Sequence, residues 1–355
     1  MPDPSFSPNS SLQPAGRIAL LTGATGQDGT YLTELLHCRG YHVWGLVRDS
    51  SLARSETLKD QLQEAEPGNI RLVMGDLADS RRLREILDQI QPHEIYHLGS
   101  QSQVQASFLD PEGTGNVTGL GTVRILEAMH TLHLPARLFN ASSSEIFGNA
   151  AGPLNEEAPI RPRNPYGAAK AYAHQMTRIY REHHGLFAAN GILFNHESPR
   201  RGAAFVSRKI TSTLARILAG QQVRLTLGNL DAQRDWGFAG DYVEGMWRTL
   251  QGETPRDYVF STGKTHSVRD FCSAAFACAG LPLLWRGQGL EETGQTEDGR
   301  ILVSVDPRYF RPEATSRIFG DSSRARMELG WQPTVRFADL VQMMVDHDRE
   351  CLRIE

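Results

Sequence analysis

A glycine-rich loop decides the fold class of this sequence: the stretch Thr22–Gly29 reads Thr-Gly-Ala-Thr-Gly-Gln-Asp-Gly. A short apolar run, Arg17–Leu21, precedes the loop, and Gly26–Arg39 follows with apolar residues at helical spacing. Glycines in a tight turn between a buried strand and a helix let a pyrophosphate approach the unsatisfied N–H groups of the helix N-terminus. A glycine triplet alone indicates only a turn, but this placement predicts a dinucleotide site.

The alternation of strand and helix continues beyond the loop. The predicted strands are Arg17–Leu21, Tyr41–Val47, Ile70–Met74, Glu94–Leu98, Leu138–Ala141 and Phe187–Phe194. The predicted helices are Gly26–Arg39, Ser80–Gln91, Asn116–Leu132 and Tyr166–His184, and later Phe205–Ala219, Gly240–Leu250, Val268–Gly280 and Phe337–Leu352. Regular alternation up to about Asn195 is typical of an α/β fold with a doubly wound parallel sheet of the Rossmann type.

The weakening of this alternation after about Asn195 suggests a domain organisation. We predict a dinucleotide-binding domain that carries the catalytic residues over 17–195. A smaller C-terminal lobe over 196–355 is predicted to be mainly substrate-binding, with some segments returning to the main domain. Residues 1–16 are rich in Pro, Ser and Asn and are predicted to be a disordered lead-in.

Composition excludes several classes of function. The 355 residues are 40% hydrophobic and 22% charged, which is ordinary globular usage. A net charge of −4 lacks the basic excess of a nucleic-acid binder, and no apolar run approaches the ~18 residues that span a membrane. The 4 cysteines are scattered and form no CxxC pair. We therefore expect a soluble cytoplasmic protein without a metal site, in which His183–His184 is a solvated helix end.

The ends of the predicted strands supply further cofactor candidates. The second strand ends in Arg48-Asp49, where an arginine favours NADP and an acid favours NAD, and we favour NADP. Asp76 and Leu77 are placed to flank the adenine, although Asp76 can equally be a helix-entry residue. The predicted cofactor-binding residues are Gly23, Thr25, Gly26, Gln27, Asp28, Gly29, Arg48, Asp76, Leu77, Leu98, Tyr166 and Lys170.

A tyrosine and a lysine four residues apart begin the long helix that follows the fifth strand. Tyr166 and Lys170 share one helix face, and a nearby ammonium is expected to lower the pKa of the tyrosine toward the working range of a base. Ser143, at the predicted strand end, is placed to hydrogen-bond the reacting oxygen. The alternatives are a chance pair on a helix and a turn serine.

The loop, Ser143 and the Tyr166–Lys170 pair resemble the extended short-chain dehydrogenase/reductase family. Within that larger family, the chain resembles the GDP-mannose 4,6-dehydratase family in three longer stretches, which are Ser144–Gly148, Asn190–Gly202 and Arg234–Gly237. The resemblance runs from about Arg17 to Cys351, nearly the whole chain, and Asn190–Gly202 is its most specific part.

The resemblance implies a reaction in three linked steps. Tyr166 removes the O4 proton while C4 gives a hydride to the nicotinamide, Glu145 abstracts the C5 proton and helps water leave C6, and the hydride returns to C6. Related dehydratases carry a separate acidic residue before this glutamate, where this chain has Ser144, so Glu145 is expected to serve as both base and acid. The alternative for Glu145 is a solvated loop glutamate.

Cations are expected to hold the substrate's diphosphate, since arginine forks suit phosphate oxygens. Several basic residues of the C-terminal half, including Arg201, are candidates because of their charge. The resemblance adds Asn195 and Glu313 as expected substrate contacts. As an alternative, any single arginine can belong to a surface ion pair. The predicted substrate-binding residues are Asn195, Arg200, Lys209, Arg234, Arg311 and Glu313.

A homodimer or homotetramer is expected. Departures from the family pattern are Asp49, the segment Ser50–Leu58, and Gln103 where a histidine is common.

Three other functions remain open from the sequence. One is the same chemistry on a GDP-manno-heptose, another is nucleotide-sugar epimerisation or 4-keto reduction, and the third is a non-catalytic dinucleotide sensor. Glu145 separates the second from dehydration, because an epimerase on this fold needs only the tyrosine and lysine. The complete set of Ser143, Glu145, Tyr166 and Lys170 argues against the sensor.

Overall fold

A computed structural model describes residues 16–52, 55–64, 69–310 and 317–353. The strands are β1 Ile18–Thr22, β2 His42–Val47, β3 Ile70–Met74, β4 Glu94–His97, β5 Arg137–Ser143, β6 Ala188–Leu193, β7 His196–Glu197, β8 Leu225–Leu227, β9 Gln233–Arg234, β10 Gly237–Phe238, β11 Tyr258–Phe260, β12 His266–Ser267, β13 Leu284–Arg286, β14 Thr293–Gln295 and β15 Ile301–Val305. The α-helices are α1 Gln27–Cys38, α2 Asp49–Leu52, α3 Glu56–Glu64, α4 Ser80–Ile90, α5 Val104–Leu109, α6 Pro111–Thr114, α7 Gly121–Thr131, α8 Pro165–His184, α9 Val206–Leu218, α10 Ala239–Gln251, α11 Val268–Cys278, α12 Ser323–Leu329 and α13 Phe337–Cys351.

The central sheet confirms the predicted doubly wound α/β fold. Within the described residues it has seven strands in the order β11-β6-β5-β4-β1-β2-β3, all of them parallel. The order reverses between β1 and β4, and ligands of such sheets bind at the carboxyl ends of the strands beside this switch point. Both β1 and β4 therefore end where a dinucleotide is expected.

Helices cover both faces of this sheet, as a parallel sheet requires. Successive residues of β1 alternate between the faces: Ala19 and Leu21 join the apolar cluster that contains Tyr31 of α1, whereas Leu20 joins the cluster that contains Ile86 of α4. The near-continuous apolar run that predicted β1 is thus explained by burial on two sides.

A segment from the C-terminal half completes the main sheet. Strand β11 pairs with β6 at the edge, and α10 packs against α1, β5 and β6. The rest of the C-terminal half includes a smaller sheet in the order β13-β14-β15-β8. No helix in the described ranges is both long and apolar enough to cross a bilayer.

One predicted helix differs from the structure, and one segment had no predicted secondary structure. The single helix expected over Asn116–Leu132 starts as a π-helix over Gly115–Leu120 and becomes α-helical only in α7. The segment Ser50–Leu58, expected to depart from the family pattern, includes parts of α2 and α3. Helix α3 packs on α1, where Gln61 Nε2 donates to the Thr30 carbonyl at 2.9 Å. Its mostly polar sequence, with Leu58 buried against the core, gives little helical periodicity to detect.

Candidate active site

The carboxyl ends of the central strands open into a cleft of about 760 Å³, whose other wall comes from residues after β6. The predicted site residues that line the cleft are Gly23, Thr25, Gly26, Gln27, Asp28, Gly29, Arg48, Asp76, Leu77, Leu98, Ser143, Glu145, Tyr166, Lys170, Asn195, Lys209 and Arg234. The structure therefore brings residues from distant parts of the chain to one place.

The glycine loop has the shape that a pyrophosphate needs. Gly23 has a φ of +74°, and a Cβ there would lie 2.8 Å from the Gly99 nitrogen; a Cβ at Gly29 would lie 2.3 Å from the Gly23 carbonyl oxygen. These two glycines are required by the turn itself. Gly26 caps α1 without a side-chain hydrogen bond, and a Cβ there would meet nothing closer than 3.3 Å. The first N–H groups of α1 therefore face the cleft without a side-chain partner, which fits a bound diphosphate.

An ion pair connects the loop to His196 on β7. Asp28 Oδ2 is 2.8 Å from His196 Nε2, and the other ring nitrogen is 2.7 Å from the Phe194 carbonyl oxygen. Burial disfavours the charged form of both groups, but their mutual attraction lowers the pKa of Asp28 and raises the pKa of His196. Asp28 is thus engaged by His196, a residue that the sequence did not single out.

Ser143 and Tyr166 lie at the centre of the cleft. Ser143 ends β5, and its side chain hydrogen-bonds with that of Tyr166 in the first turn of α8. Burial raises the pKa of Tyr166 to about 12, the hydrogen bond with Ser143 counteracts this, and the nearby Glu145 carboxylate adds to it. The pKa of Tyr166 is therefore raised and not lowered as expected, since burial dominates and the group that opposes it first is Ser143.

The Lys170 ammonium has a hydrogen-bond acceptor of its own. Its Nζ donates to the Ala141 carbonyl at 2.6 Å and lies 5.9 Å from the centre of the Tyr166 ring. Burial lowers the pKa of Lys170 to about 8, while the Asp28 carboxylate opposes that shift. The ammonium is therefore held against β5 and loses its proton more easily than an ordinary lysine does.

Glu145 is held at the edge of the same cleft. It lies in the 3₁₀ turn Ser144–Phe147, half-buried, and its Oε2 accepts a hydrogen bond from Asn164 Nδ2 at 2.7 Å. Arg234 faces the same carboxylate: burial lowers the pKa of this arginine, and Glu145 opposes the shift. The geometry contradicts the alternative of a freely solvated loop glutamate.

Asn164 is a site residue that the sequence reasoning missed. It caps α8 through a 2.7 Å hydrogen bond from the Gly167 nitrogen to its Oδ1, and Pro165 occupies the first helical position. An asparagine followed by proline is a recognisable helix-start signal, although it does not reveal the contact with Glu145.

Cations and aromatic rings gather on the wall formed after β6. Lys209 Nζ lies 4.0 Å from the centre of the Tyr309 ring, and burial lowers the pKa of this lysine. The Arg201 guanidinium lies 3.6 Å from the Phe205 ring centre, with its Nε 3.0 Å from Glu197. Arg201, Phe205 and Tyr309 all line the cleft, and the two rings had no signal in the sequence beyond their residue type.

One predicted substrate residue, Arg200, is not placed at the cleft. Arg200 is absent from its lining: its Nη2 is 2.6 Å from Glu34 Oε1, and its guanidinium lies 4.0 Å from the Tyr31 ring centre. Its prediction as a substrate contact is corrected, because the side chain ties the segment after β6 to α1. Arg311 and Glu313 lie outside the described residues.

Comparison with known proteins agrees with this geometry. The family model described as GDP-mannose 4,6 dehydratase matches residues 20–344. GDP-mannose 4,6-dehydratase of Sinorhizobium fredii strain HH103 is 48% identical over 343 residues, covering 95% of this chain and 98% of the relative. The Cricetulus griseus protein of that name is 47% identical over 344 residues, covering 95% and 92%.

Solved structures at lower identity share the fold. RMD from Pseudomonas aeruginosa, solved with NADPH, superposes with a TM-score of 0.71 at 21% identity, covering 94% of this chain and 99% of that one. A dTDP-glucose 4,6-dehydratase from Bacillus anthracis, solved with NAD, has a TM-score of 0.76 at 17% identity, covering 94% and 97%. At such identities the likeness shows the Rossmann-type architecture alone.

Proposed function

The chain belongs to the GDP-mannose 4,6-dehydratase family, and we propose that it converts GDP-mannose to GDP-4-keto-6-deoxymannose. The observation that carries the proposal is the position of Glu145, held in one cleft with Ser143, Tyr166 and Lys170. Oxidation and re-reduction at C4 need only the tyrosine and the lysine, whereas loss of water across C5 and C6 needs a further base.

A nicotinamide dinucleotide, when bound, would accept the hydride from C4 and return it to C6. The open N-terminus of α1 would hold its diphosphate, and solved structures of the same fold carry NADPH or NAD. Tyr166 takes the O4 proton during the first hydride transfer, and Ser143 hydrogen-bonds to its hydroxyl. Because burial raises the pKa of Tyr166 to about 12, positive charge from Lys170 is needed to favour its ionised form.

Glu145 carries out the elimination. The C4 ketone acidifies the C5 proton, the Glu145 carboxylate removes it, and the carboxylic acid so formed gives a proton to the C6 hydroxyl, which leaves as water. Glu145 is then a carboxylate again. As the hydride returns to C6, C5 takes up one proton, and the proton that Tyr166 took from O4 balances it, so the site is restored without external reductant.

We propose that the cofactor is NADP. Arg48 follows β2, is exposed and lines the cleft, where its guanidinium can pair with a 2′-phosphate. Replacing Arg48 by Ala should weaken NADP binding roughly 10- to 100-fold, as expected for a charged hydrogen bond, and leave NAD binding unchanged. Arg81→Ala, an exposed arginine on α4, is the matched control. Equal loss for both dinucleotides, measured by titration, would contradict this choice.

We also propose that the chain works as a homodimer or homotetramer. Helices α5 and α8 pack together and expose the apolar side chains of Phe108, Leu109, Tyr172 and Ile179. Such neighbouring exposed apolar residues suit burial against another copy. Size-exclusion chromatography with light scattering should give the mass of two or four chains. A monomer at micromolar concentration would contradict the proposal.

The activity is tested by mass spectrometry on a panel of GDP-mannose, a GDP-manno-heptose and UDP-glucose. We expect one water to be lost from GDP-mannose without added reductant. Glu145→Gln should lower the rate of water loss by roughly 10²- to 10⁴-fold while C4 oxidation persists. Glu157→Gln, at an exposed glutamate, is the matched control. An epimer or a reduced product instead would favour an epimerase or reductase, turnover of the heptose alone would favour that substrate, and bound cofactor with no turnover would favour a sensor.

A further inference from the structure

The side chain of Asn164 bridges two parts of the active site that carry different steps. Its Oδ1 accepts from the Gly167 nitrogen in the first turn of α8, and its Nδ2 donates to Glu145 Oε2, both at 2.7 Å. The same turn carries Tyr166. One residue therefore connects the start of the tyrosine helix to the glutamate carboxylate.

The amide side chain satisfies both partners at once. The Gly167 N–H is a donor and the ionised Glu145 carboxylate is an acceptor, so the bridging group must accept at one end and donate at the other. The donor at Gly167 also fixes which end of the Asn164 amide faces Glu145. A serine here caps the helix but is too short to reach the carboxylate, and an aspartate caps the helix but repels it.

The backbone around the bridge leaves little room for adjustment. A Cβ at Gly167 would lie 2.6 Å from the Glu145 carbonyl oxygen, so the helix start is in close contact with the turn that carries the glutamate. Among the described residues, Tyr166 on α8 and Arg234 on β9 also interact with the charge of Glu145. The hydrogen bond that holds the carboxylate comes from Asn164.

Building on the proposed dehydration, we propose that Asn164 is a positioning residue that orients the Glu145 carboxylate for transfer of the C5 proton. The bridge fixes the carboxylate relative to the helix that carries Tyr166. It therefore assists the elimination step, which uses Glu145, and is not needed for the oxidation step, which uses Tyr166. Loss of the bridge should therefore slow elimination while oxidation at C4 continues. A residue that merely caps α8 would not separate the two.

Asn164→Ser tests the proposal, because serine keeps the cap and removes the bond to Glu145. We expect an unchanged Tm, a KM for GDP-mannose near that of the unaltered chain, and a kcat that is lower by roughly 10- to 100-fold. In a single turnover the absorbance of reduced cofactor should rise and persist, and incorporation of solvent deuterium at C5 should slow by the same factor. Asn164→Ala, which removes the cap as well, should add a fall in Tm.

Asn164→Asp provides an independent readout. A second carboxylate next to Glu145 disfavours two negative charges, so the acid limb of the kcat profile should move to higher pH, whereas Asn164→Ser should leave that limb closer to its original position. Tyr166 and Arg234 are unchanged in both variants, so their influence is the same in each.

The outcomes separate this inference from the function on which it rests. If the unaltered chain does not dehydrate GDP-mannose, the proposed function fails. If the unaltered chain is active, an Asn164→Ser variant with full kcat and no accumulation of reduced cofactor overturns the positioning role. Equal loss of oxidation and elimination in a variant of unchanged Tm also overturns it, because the bridge would then not distinguish the two steps.

Discussion

At the scale of single residues, the sequence indicated which chemical groups are present but not which way each one faces. Arg200 and Arg201 are adjacent and identical in type, yet Arg201 lines the cleft while Arg200 pairs with Glu34 on α1. Tyr166 and Lys170 could be predicted from their spacing, and Glu145 from the resemblance of the stretch around it to a known family. The direction of a side chain depends on partners far away in sequence, which no local pattern encodes.

Lys170 shows a conflict between stability and activity. Burial lowers its pKa to about 8 from an ordinary value of 10.5, so the folded chain loses this proton more readily than the unfolded chain does. Between these two values the unfolded chain binds more protons, and stability should rise with pH. Keeping the ammonium charged near neutral pH therefore destabilises the fold where the proposed chemistry needs the charge.

We predict that Lys170→Met abolishes turnover and increases the stability measured at neutral pH. The gain in stability of the unaltered chain between pH 8 and 10.5 should shrink in the variant, since the group responsible is gone. Urea unfolding at a series of pH values measures this, with the exposed Lys264→Met as control. A stability difference between variant and parent that does not change with pH would contradict the assignment.

At the scale of elements, periodicity and glycine placement predicted β1, the loop and α1, whereas contacts between elements had to come from the structure. Asp28 at the start of α1 and His196 in β7 are 168 residues apart, yet they form an ion pair beneath the loop. Gln27 Nε2 also donates to the His196 carbonyl, and Ser198 Oγ donates to Gln27 Oε1. The segment after β6 therefore supports the cofactor loop through several contacts that lie far apart in sequence.

The Asp28–His196 pair should make stability depend on pH. The raised pKa of His196 gives a contribution that is complete below its ordinary value of 6.5 and lost as pH rises through the folded value. The lowered pKa of Asp28 gives a contribution that is present above 3.8 and lost as pH falls through the folded value. The pair is therefore expected to stabilise the chain most between these two ordinary values.

We predict that His196→Gln lowers the free energy of unfolding more at about pH 6 than at about pH 9, because the charged pair contributes less as pH rises through the folded pKa of His196. Urea unfolding at the two pH values measures the difference, and His42→Gln, an exposed histidine on β2, is the control. An equal loss at both values would mean that shape rather than charge is the contribution of His196.

At the scale of the whole molecule, the division of the chain near Asn195 does not coincide with a division of the main sheet. Strand β11 completes that sheet beside β6, and Asp257, which immediately precedes it, holds Arg181 of α8 at 2.6 Å and accepts from the Asn190 nitrogen at 2.9 Å. Sequence alternation detected the regular first half, and some later segments were expected to return to the main domain. It could not say which segment does so, because a strand of three residues is too short to detect.

This closure predicts that residues 17–195 do not fold on their own. Without β11 the edge of β6 is left unpaired, and without α10 the apolar face of β5, β6 and α1 is exposed to water. We expect this fragment to aggregate or to unfold without a cooperative transition, and to bind no dinucleotide, while residues 16–353 behave as the full chain. Circular dichroism melts and dinucleotide titrations of the two fragments make the comparison. A cooperative, dinucleotide-binding 17–195 fragment would show instead that the first half is an independent domain and that β11 only extends its sheet.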